Sequence, residues 1–286
     1  MKVAALITSY NRCDMTLNSV SCLYRQSIET DIYIVDGGSS DYTVSKIKAQ
    51  YKDVNIKFID GLYWAGGMRE AWKWAANEEQ YDYYLLLNDD TTLYDNALDL
   101  LLADAEKGLE IYKMPVIVVG TTIDNVTKQF SYGGRRLIAK GKSTSTIVYP
   151  NADCLEECEL GNANIMLVPA EIYNKIGGLS DKYTHGIADY DYTLRAVEAG
   201  FHCVVCSEVC GECVDNHGNN WLSSKKSTLK ERITYLYSPK GLAYKEYLYY
   251  IKRFFPKEYC SAKLKLWLKT LFPFLWEMKK QNSQNA

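Results

Sequence analysis

Tyr81–Thr92 reads YDYYLLLNDDTT. Tyr83 to Leu87 is a short apolar run with two aromatics, the length and type of a strand buried on both faces. It ends abruptly in Asn88, Asp89 and Asp90. Carboxylates placed where a central strand runs out lie at the carboxyl edge of a sheet, the edge where open α/β folds bind ligands. Two adjacent acids there repel unless a cation or a hydrogen-bonded hydroxyl sits between them. A divalent metal carrying a diphosphate supplies such a cation, and hard oxygen ligands suit Mg2+ or Mn2+. Asn88, Asp89, Asp90 and Thr91 equally suit the cap of a helix starting near Leu93. On this stretch alone, a site and a cap both stand.

The preceding chain repeats the same grammar three times. Val3–Ile7 is strand-like and ends in Thr8, Ser9, Tyr10, Asn11 and Arg12. A helical pattern follows, with Leu17, Val20, Leu23 and Tyr24 at helical spacing. Asp31–Val35 is a second strand, ended by DGGSSD at Asp36–Asp41, whose glycines let the backbone approach a ligand. Ser40 or Asp41 is placed to cap the next helix. Val54–Ile59 is a third strand, followed by DGLYWAGG at Asp60–Gly67 and a helix with Trp72 and Trp74. This alternation is a βαβ series and predicts a parallel, doubly wound sheet. Parallel strands bring Thr8, Asp36, Trp64 and Asp89 to one edge. Neither GxGxxG after the first strand nor GxxxxGK[ST] is present, so that edge handles phosphates in another way, through metal.

Farther on, Pro115–Thr121 is another strand, and residues 122–158 alternate short strand-like runs with turns. Gly161-Asn162-Ala163-Asn164 opens an apolar strand. Glu171–Ile176 is a short helix closed by Gly177-Gly178. A second acidic cluster, His185–Tyr192, places Asp189 or Asp191 to cap a helix that Gly200 stops. Phe201–Cys206 and Val209–Val214 read as strands, ended by DNHGNN at Asp215–Asn220.

With 286 residues, 47% hydrophobic and 24% charged, the chain reads as globular, with room for one large α/β domain and an appendage. A net charge of −2 gives no case for nucleic acid. MKVAALITSYNR reads as a first strand rather than a signal peptide, and no run of eighteen apolar residues occurs. The nine cysteines, an odd number, read as reduced thiols in a cytosol. Cys203, Cys206, Cys210 and Cys213 spell C-x2-C-x3-C-x2-C. The gap is too short for two zinc knuckles, and a regular strand points Cys203 and Cys206 to opposite faces, so buried thiols are expected. His185 and His202 suggest no particular role. Gly241–Ala286 holds nine Lys or Arg against three Glu, interleaved with aromatics. Such helices favour an anionic membrane surface. Trp267, Phe272, Phe274 and Trp276 are the expected anchors, and Pro273 ends the helix. The competing expectation is packing against the preceding α/β domain or a second copy of the chain, as a homo-oligomer.

Taken in order, TSYNR, VDGGSSD, LYWAGGM, LLLNDD, GNANIML, ADYDYTLRAVEAGF and DNHG resemble glycosyltransferase family 2, over roughly residues 3–220. The similarity is to its bacterial rhamnosyl- or galactosyltransferase-like members, which build capsule, O-antigen and cell-wall glycans. The resemblance implies a GT-A fold, a mixed, mostly parallel doubly wound sheet flanked by helices. It also implies a nucleotide-sugar donor, a divalent metal and inversion at the anomeric carbon. The catalytic domain is then 1–220, with a helical, basic and aromatic region at 221–286. By the same resemblance, Thr8, Tyr10 and Arg12 frame the base, and Asp36 bonds the base or ribose. Trp64, Gly66 and Gly67 belong to a donor-side loop, Asp90 ligates the metal, and Asp89 lies near the ribose or the metal's waters. Asn88 departs from the fuller acidic motif. Asp189 matches the general base, although Ala188 replaces the usual Glu, and His217 completes the metal site. Asn162 and Asp191 fall on the acceptor side. The donor expected is a UDP-sugar ahead of a dTDP-sugar. The acceptor is a glycan or lipid-linked hydroxyl, and the location is the cytoplasm, reaching the inner face of the cell membrane. The rival classes are a sugar-phosphate nucleotidyltransferase, whose glycine-rich basic loop TSYNRCDM lacks, and a non-catalytic sugar-binding or scaffold protein.

Overall fold

The computed structural model describes residues 1–215 and 227–275. The first half runs β1 (Val3–Ser9), α1 (Cys13–Tyr24), β2 (Thr30–Asp36), α2 (Thr43–Gln50), β3 (Asn55–Phe58), α3 (Trp64–Glu78) and β4 (Tyr83–Asn88). Then come β5 (Thr92–Leu93), α4 (Ala97–Tyr112), β6 (Val116–Ile123) and β7 (Phe130–Tyr132), followed by β8 (Gly134–Leu137), β9 (Ser145–Ile147), β10 (Glu156–Glu157) and β11 (Leu160–Gly161). The chain continues as β12 (Ile165–Pro169), α5 (Ala170–Ile176), α6 (Ala188–Glu198) and β13 (His202–Glu212). It closes with α7 (Leu229–Tyr237), α8 (Tyr244–Phe254), a 3-10 turn (Pro256–Glu258) and α9 (Tyr259–Leu271).

The main sheet has the order β10-β13-β6-β12-β4-β1-β2-β3. Strands β1, β2, β3 and β4 are mutually parallel, as the βαβ repeat predicts, and β13 is parallel to β6. Among the long strands of the described residues, only β12 runs against its neighbours, between β4 and β6. The sheet is mixed, mostly parallel and covered by helices, a GT-A arrangement.

The YLLL core of β4 is buried on both faces because successive side chains alternate. Tyr84 and Leu86 join one apolar cluster with α3, α5 and α6, while Leu85 and Leu87 join the other with α1 and α4. The stretch Asn88–Thr92 caps no helix. It turns into β5, which pairs with β13, and α4 begins later, at Ala97. The two strands expected at 201–214 are one long strand, β13, with register shifts between Val205 and Val209 and between Val209 and Gly211. Cys203 and Cys206 do face opposite clusters, and burial pushes the Cys203 and Cys213 thiols up, Cys213 to about 12.

Asp41 is not the N-cap of α2. It joins two helix starts instead, accepting from the Cys13 amide of α1 at 2.9 Å and the Thr43 amide of α2 at 3.2 Å.

The C-terminal helices pack on the core. Leu236, Leu248, Tyr250, Ile251, Phe255, Ala262 and Leu266 share the cluster of α3, α5 and α6. Each buried Leu, Ile or Phe side chain among them contributes roughly 2 kcal/mol. Glu246 of α8 accepts from Thr184, and Glu258 accepts from both the amide and the hydroxyl of Ser143. Trp267 is therefore not an outward anchor: its indole donates to Tyr244 Oη at 3.1 Å and packs edge-on against that ring. Phe272 and Phe274 are exposed. Trp276 lies outside the described residues.

Candidate active site

A cleft of about 750 Å³ opens along the carboxyl edge of β1 and β4. One wall is Thr8, Tyr10 and Arg12 from the end of β1, with Gly37 and the 60–64 turn beside it. The floor is Asn88, Asp89 and Asp90. The far wall is Asn162–Asn164 and the start of α6, with Asp189.

The floor is tightly organised. Trp64 donates its indole N–H to Asn88 Oδ1 at 2.8 Å, and Thr8 Oγ1 donates to the Trp64 carbonyl at 3.3 Å. Asn88 thus ties β4 to the first turn of α3, a bond that needs only one acceptor oxygen. Arg12 bridges Asp89, at 3.2 Å, and Asp90. Burial pushes the Asp89 carboxyl up to about 7 against the pull of Arg12, and the charge of Asp90 adds to the rise. Cys213 Sγ lies 3.7 Å from Asp90 Oδ1.

Gly66 and Gly67 are buried in the first turn of α3, not in a loop. At Gly67 a Cβ would come within 2.4 Å of Thr8 Cγ2, so glycine lets the helix sit directly behind β1. A Cβ at Gly37 would meet the Leu62 carbonyl at 2.5 Å, which keeps the 37–40 and 60–64 turns in contact. Asp36 is fully buried beneath these turns. Its Oδ1 accepts from the Gly38 and Ser39 amides, and its Oδ2 has no partner among the described residues.

On the far wall, Asp189 and Asp191 part company. Neither caps α6, whose N-cap is Ile187 in the left-handed region, φ 71°. Asp189 lines the cleft, accepting from the Tyr190 amide at 2.9 Å and the Ala163 amide at 3.2 Å. Burial raises its pKa above the usual carboxylate range. Asp191, expected on the acceptor side, is 1% exposed. It accepts from Tyr183 Oη at 2.9 Å and pairs with Arg195 at 2.7 Å, so it holds the fold together behind the cleft. Helical geometry forces the split, since residues two apart lie on different faces. Asn162 lines the cleft beside Tyr190, whose hydroxyl donates to it at 3.5 Å.

Two cleft residues carried no signal in the sequence. His185 sits beside Tyr63, and its Nδ1 is buried without a partner among the described residues. Burial lowers its pKa, helped by the positive charges of Lys240 and Arg12. Lys240, from the loop between α7 and α8, reaches the cleft with its Nζ 5.6 Å from the centre of the Tyr10 ring. Both arrive through tertiary packing. Arg69 of α3 donates to the Ser180 and Tyr183 carbonyls, and Glu246 accepts from Thr184, which together fix the loop bearing His185. His217 lies outside the described residues. Among the described residues no group of three or more His, Cys, Asp or Glu is placed to hold a metal, so Asp89 and Asp90 are the carboxylate pair available.

The fold is that of the GT-A glycosyltransferases. GalNAc-T7 with UDP, GalNAc and Mn2+ matches with a TM-score of 0.56 at 11% identity, over 75% of this chain and 43% of that one. S. aureus TarS 1–349 in complex with UDP matches with a TM-score of 0.51 at 14% identity, over 75% and 60%. In sequence, hyaluronan synthase of Streptococcus pyogenes is 33% identical over 108 residues, 35% of this chain and 26% of that protein, so the match spans about a quarter of its length. The model of glycosyl transferase family 2 matches residues 4–154, and the chain belongs to that family.

Proposed function

We propose that this chain is an inverting, metal-dependent glycosyltransferase. It would move a sugar from a UDP-sugar to a hydroxyl of a glycan or lipid-linked acceptor in bacterial surface polysaccharide synthesis. The observation that carries this reading is the opposition, across one cleft, of the Asp89–Asp90 pair and the single carboxylate Asp189. TarS solved with UDP and with UDP-GlcNAc, and GalNAc-T7 with UDP and Mn2+, favour that donor class and a divalent cation. The hyaluronan synthases favour a surface glycan as product.

Two adjacent carboxylates, Asp89 buried and Asp90 half-buried, with one guanidinium between them suit Mg2+ or Mn2+, which take one or two carboxylates and fill the remaining positions with substrate phosphates and water. Asp90, with Asp89 beside it, would hold the ion, and His217 would join them. Bound there, the cation supplies charge neutralisation on the leaving diphosphate. The chain's own residues do the rest. Tyr10, half exposed on the cleft wall, offers a ring face to the base. Arg12 keeps the two carboxylates in register. Asp189 accepts the proton of the acceptor hydroxyl as the glycosidic bond forms. The two amides bonded to its oxygens fix the carboxylate, and its raised pKa makes it a stronger base than an exposed aspartate. A single displacement needs no protein nucleophile.

Calorimetry of the full chain with UDP, with and without Mn2+, tests the donor site. Micromolar binding that strengthens with Mn2+ is expected, and no binding of any nucleoside diphosphate overturns the reading. A peripheral position on an anionic membrane is the associated proposal. It is supported by exposed Leu271, Phe272, Phe274 and Leu275 beside the lysines of α9. Replacing Phe272, Phe274 and Leu275 by Ser should abolish co-sedimentation with anionic vesicles, and unchanged binding overturns it.

A further inference from the structure

Two loops from the second half of the chain reach the cleft. The one before α6 brings His185 against Tyr63, and the one between α7 and α8 brings Lys240 against Tyr10. The second is tightly built. Its two ends are held together by the rings of Tyr237 and Tyr244, edge-on with their centres 5.2 Å apart. Within it the Ser238 carbonyl accepts from the Gly241 amide at 2.9 Å and the Ala243 amide at 3.1 Å. Leu242 donates to the Tyr235 carbonyl at 3.1 Å. A Cβ at Gly241 would lie 2.1 Å from that carbonyl oxygen, so only glycine lets the chain turn back this closely. Ala243 is held in the left-handed region, φ 43°. Strain of this kind persists where the surroundings demand one backbone course, and it concentrates at functional sites. What this turn delivers to the cleft is a lysine.

Lys240 differs from Arg12, the other cation of the described residues lining the cleft. The Arg12 guanidinium is committed to Asp89 and Asp90. No carboxylate of the described residues pairs with the Lys240 ammonium, whose partner is the Tyr10 ring at 5.6 Å. That is close to the outer limit of a cation–π contact and weak beside a charge-assisted bond to phosphate. Position narrows the choice of anion. Tyr10 and Arg12 stand on one wall, the first offering its ring to the base and the second reaching to the acidic pair. Lys240 lies at Tyr10, and its charge is felt with that of Arg12 at the His185 ring. The ammonium is therefore set between the place of the base and the place of the cation, where a nucleoside diphosphate carries its phosphates.

We propose that Lys240 is a diphosphate-binding residue of the donor site, carried into the cleft by the C-terminal helices to hold the leaving group. This rests on the transferase reading of the cleft. In that reaction the acceptor oxygen bonds to the anomeric carbon as the bond from that carbon to the diphosphate oxygen breaks. The electron pair goes to the diphosphate and the hydroxyl proton to Asp189. An ammonium presented by a rigid turn meets the new charge on the diphosphate without reorganisation.

Calorimetry of the full chain with UDP in Mg2+ tests this. Lys240→Gln should weaken UDP at least tenfold while the melting temperature holds. UDP carries no sugar and no acceptor, so an ammonium meant for either of those would leave its affinity unchanged, and that result overturns the proposal. Tyr10→Leu separates direct from indirect action. An ammonium that binds phosphate should cost the same factor in the Tyr10→Leu background as in the wild type. No further loss there would reduce Lys240 to a prop for the Tyr10 ring and overturn the proposal as well. UDP failing to bind the wild type strikes the donor reading and this assignment together, whereas UDP binding that ignores Lys240 strikes the assignment alone.

Discussion

Asp189 and Asp191 give the sharpest test of the site, because two acids two residues apart should fail in opposite ways. Asp191→Ala removes the partner of Arg195, whose remaining bonds are to the Ile176 and Gly178 carbonyls. It also leaves the Tyr183 hydroxyl, in a fully buried ring, without its acceptor. Breaking a buried ion pair costs about 3–5 kcal/mol, and an orphaned buried hydroxyl about 1–3 kcal/mol. Because the losses overlap, about 4 kcal/mol is expected. At about 2–4 °C per kcal/mol for a domain of this size, the melting temperature falls by about 8–16 °C. Asp189→Asn should do neither. One of the two amides bonded to Asp189 loses its acceptor, costing about 1 kcal/mol. Removing a carboxylate that burial disfavours offsets that loss. Stability should stay within about 1 kcal/mol, UDP affinity should hold, and turnover should fall about 100- to 10,000-fold, the worth of a positioned general base. Thermal melts, UDP calorimetry and sugar-transfer rates on both variants decide the matter. Asp191→Ala melting within 2 °C of wild type, or Asp189→Asn keeping a tenth of the rate, would refute the assignment.

Asp90→Ala should weaken UDP binding in Mn2+ at least tenfold and erase the difference between titrations with and without metal; a retained Mn2+ effect would place the metal elsewhere. The pH profile of transfer should show an acid limb set by Asp189. Its folded pKa is raised, so the residue is protonated and idle below that value, and the rate climbs as pH rises through it from above the ordinary carboxylate range. A limb at the ordinary value would assign it to an exposed acid. Gly67→Ala should cost about 1–3 kcal/mol by overpacking against Thr8, less a gain of about 1 kcal/mol in helix propensity. It should also lower UDP affinity by displacing Thr8, which a melt paired with a UDP titration would detect.

The alternation of apolar runs with polar strand ends was enough, in the sequence, to establish β1 to β4, their parallel order and the edge where Thr8, Trp64 and Asp89 meet. Strand periodicity and the βαβ alternation are local rules, and the chain obeys them over residues 3–90. Which of Asp189 and Asp191 faces the cleft was not legible, because both suit a helix start and only the docking of α6, which sets Asp191 against Tyr183 and Arg195 against the Ile176 and Gly178 carbonyls, chooses between them. Asn88–Thr92 read equally well as a cap, until pairing of β5 with β13, more than a hundred residues on, set it as a turn. Basic and aromatic residues in the tail suited a membrane surface and packing against the rest of the chain alike. Three-dimensional packing instead turned Tyr250, Ile251, Phe255 and Trp267 inward and brought Lys240 and His185 to the cleft. These contacts join residues far apart in the chain, and no local pattern records a partner supplied by another part of the fold.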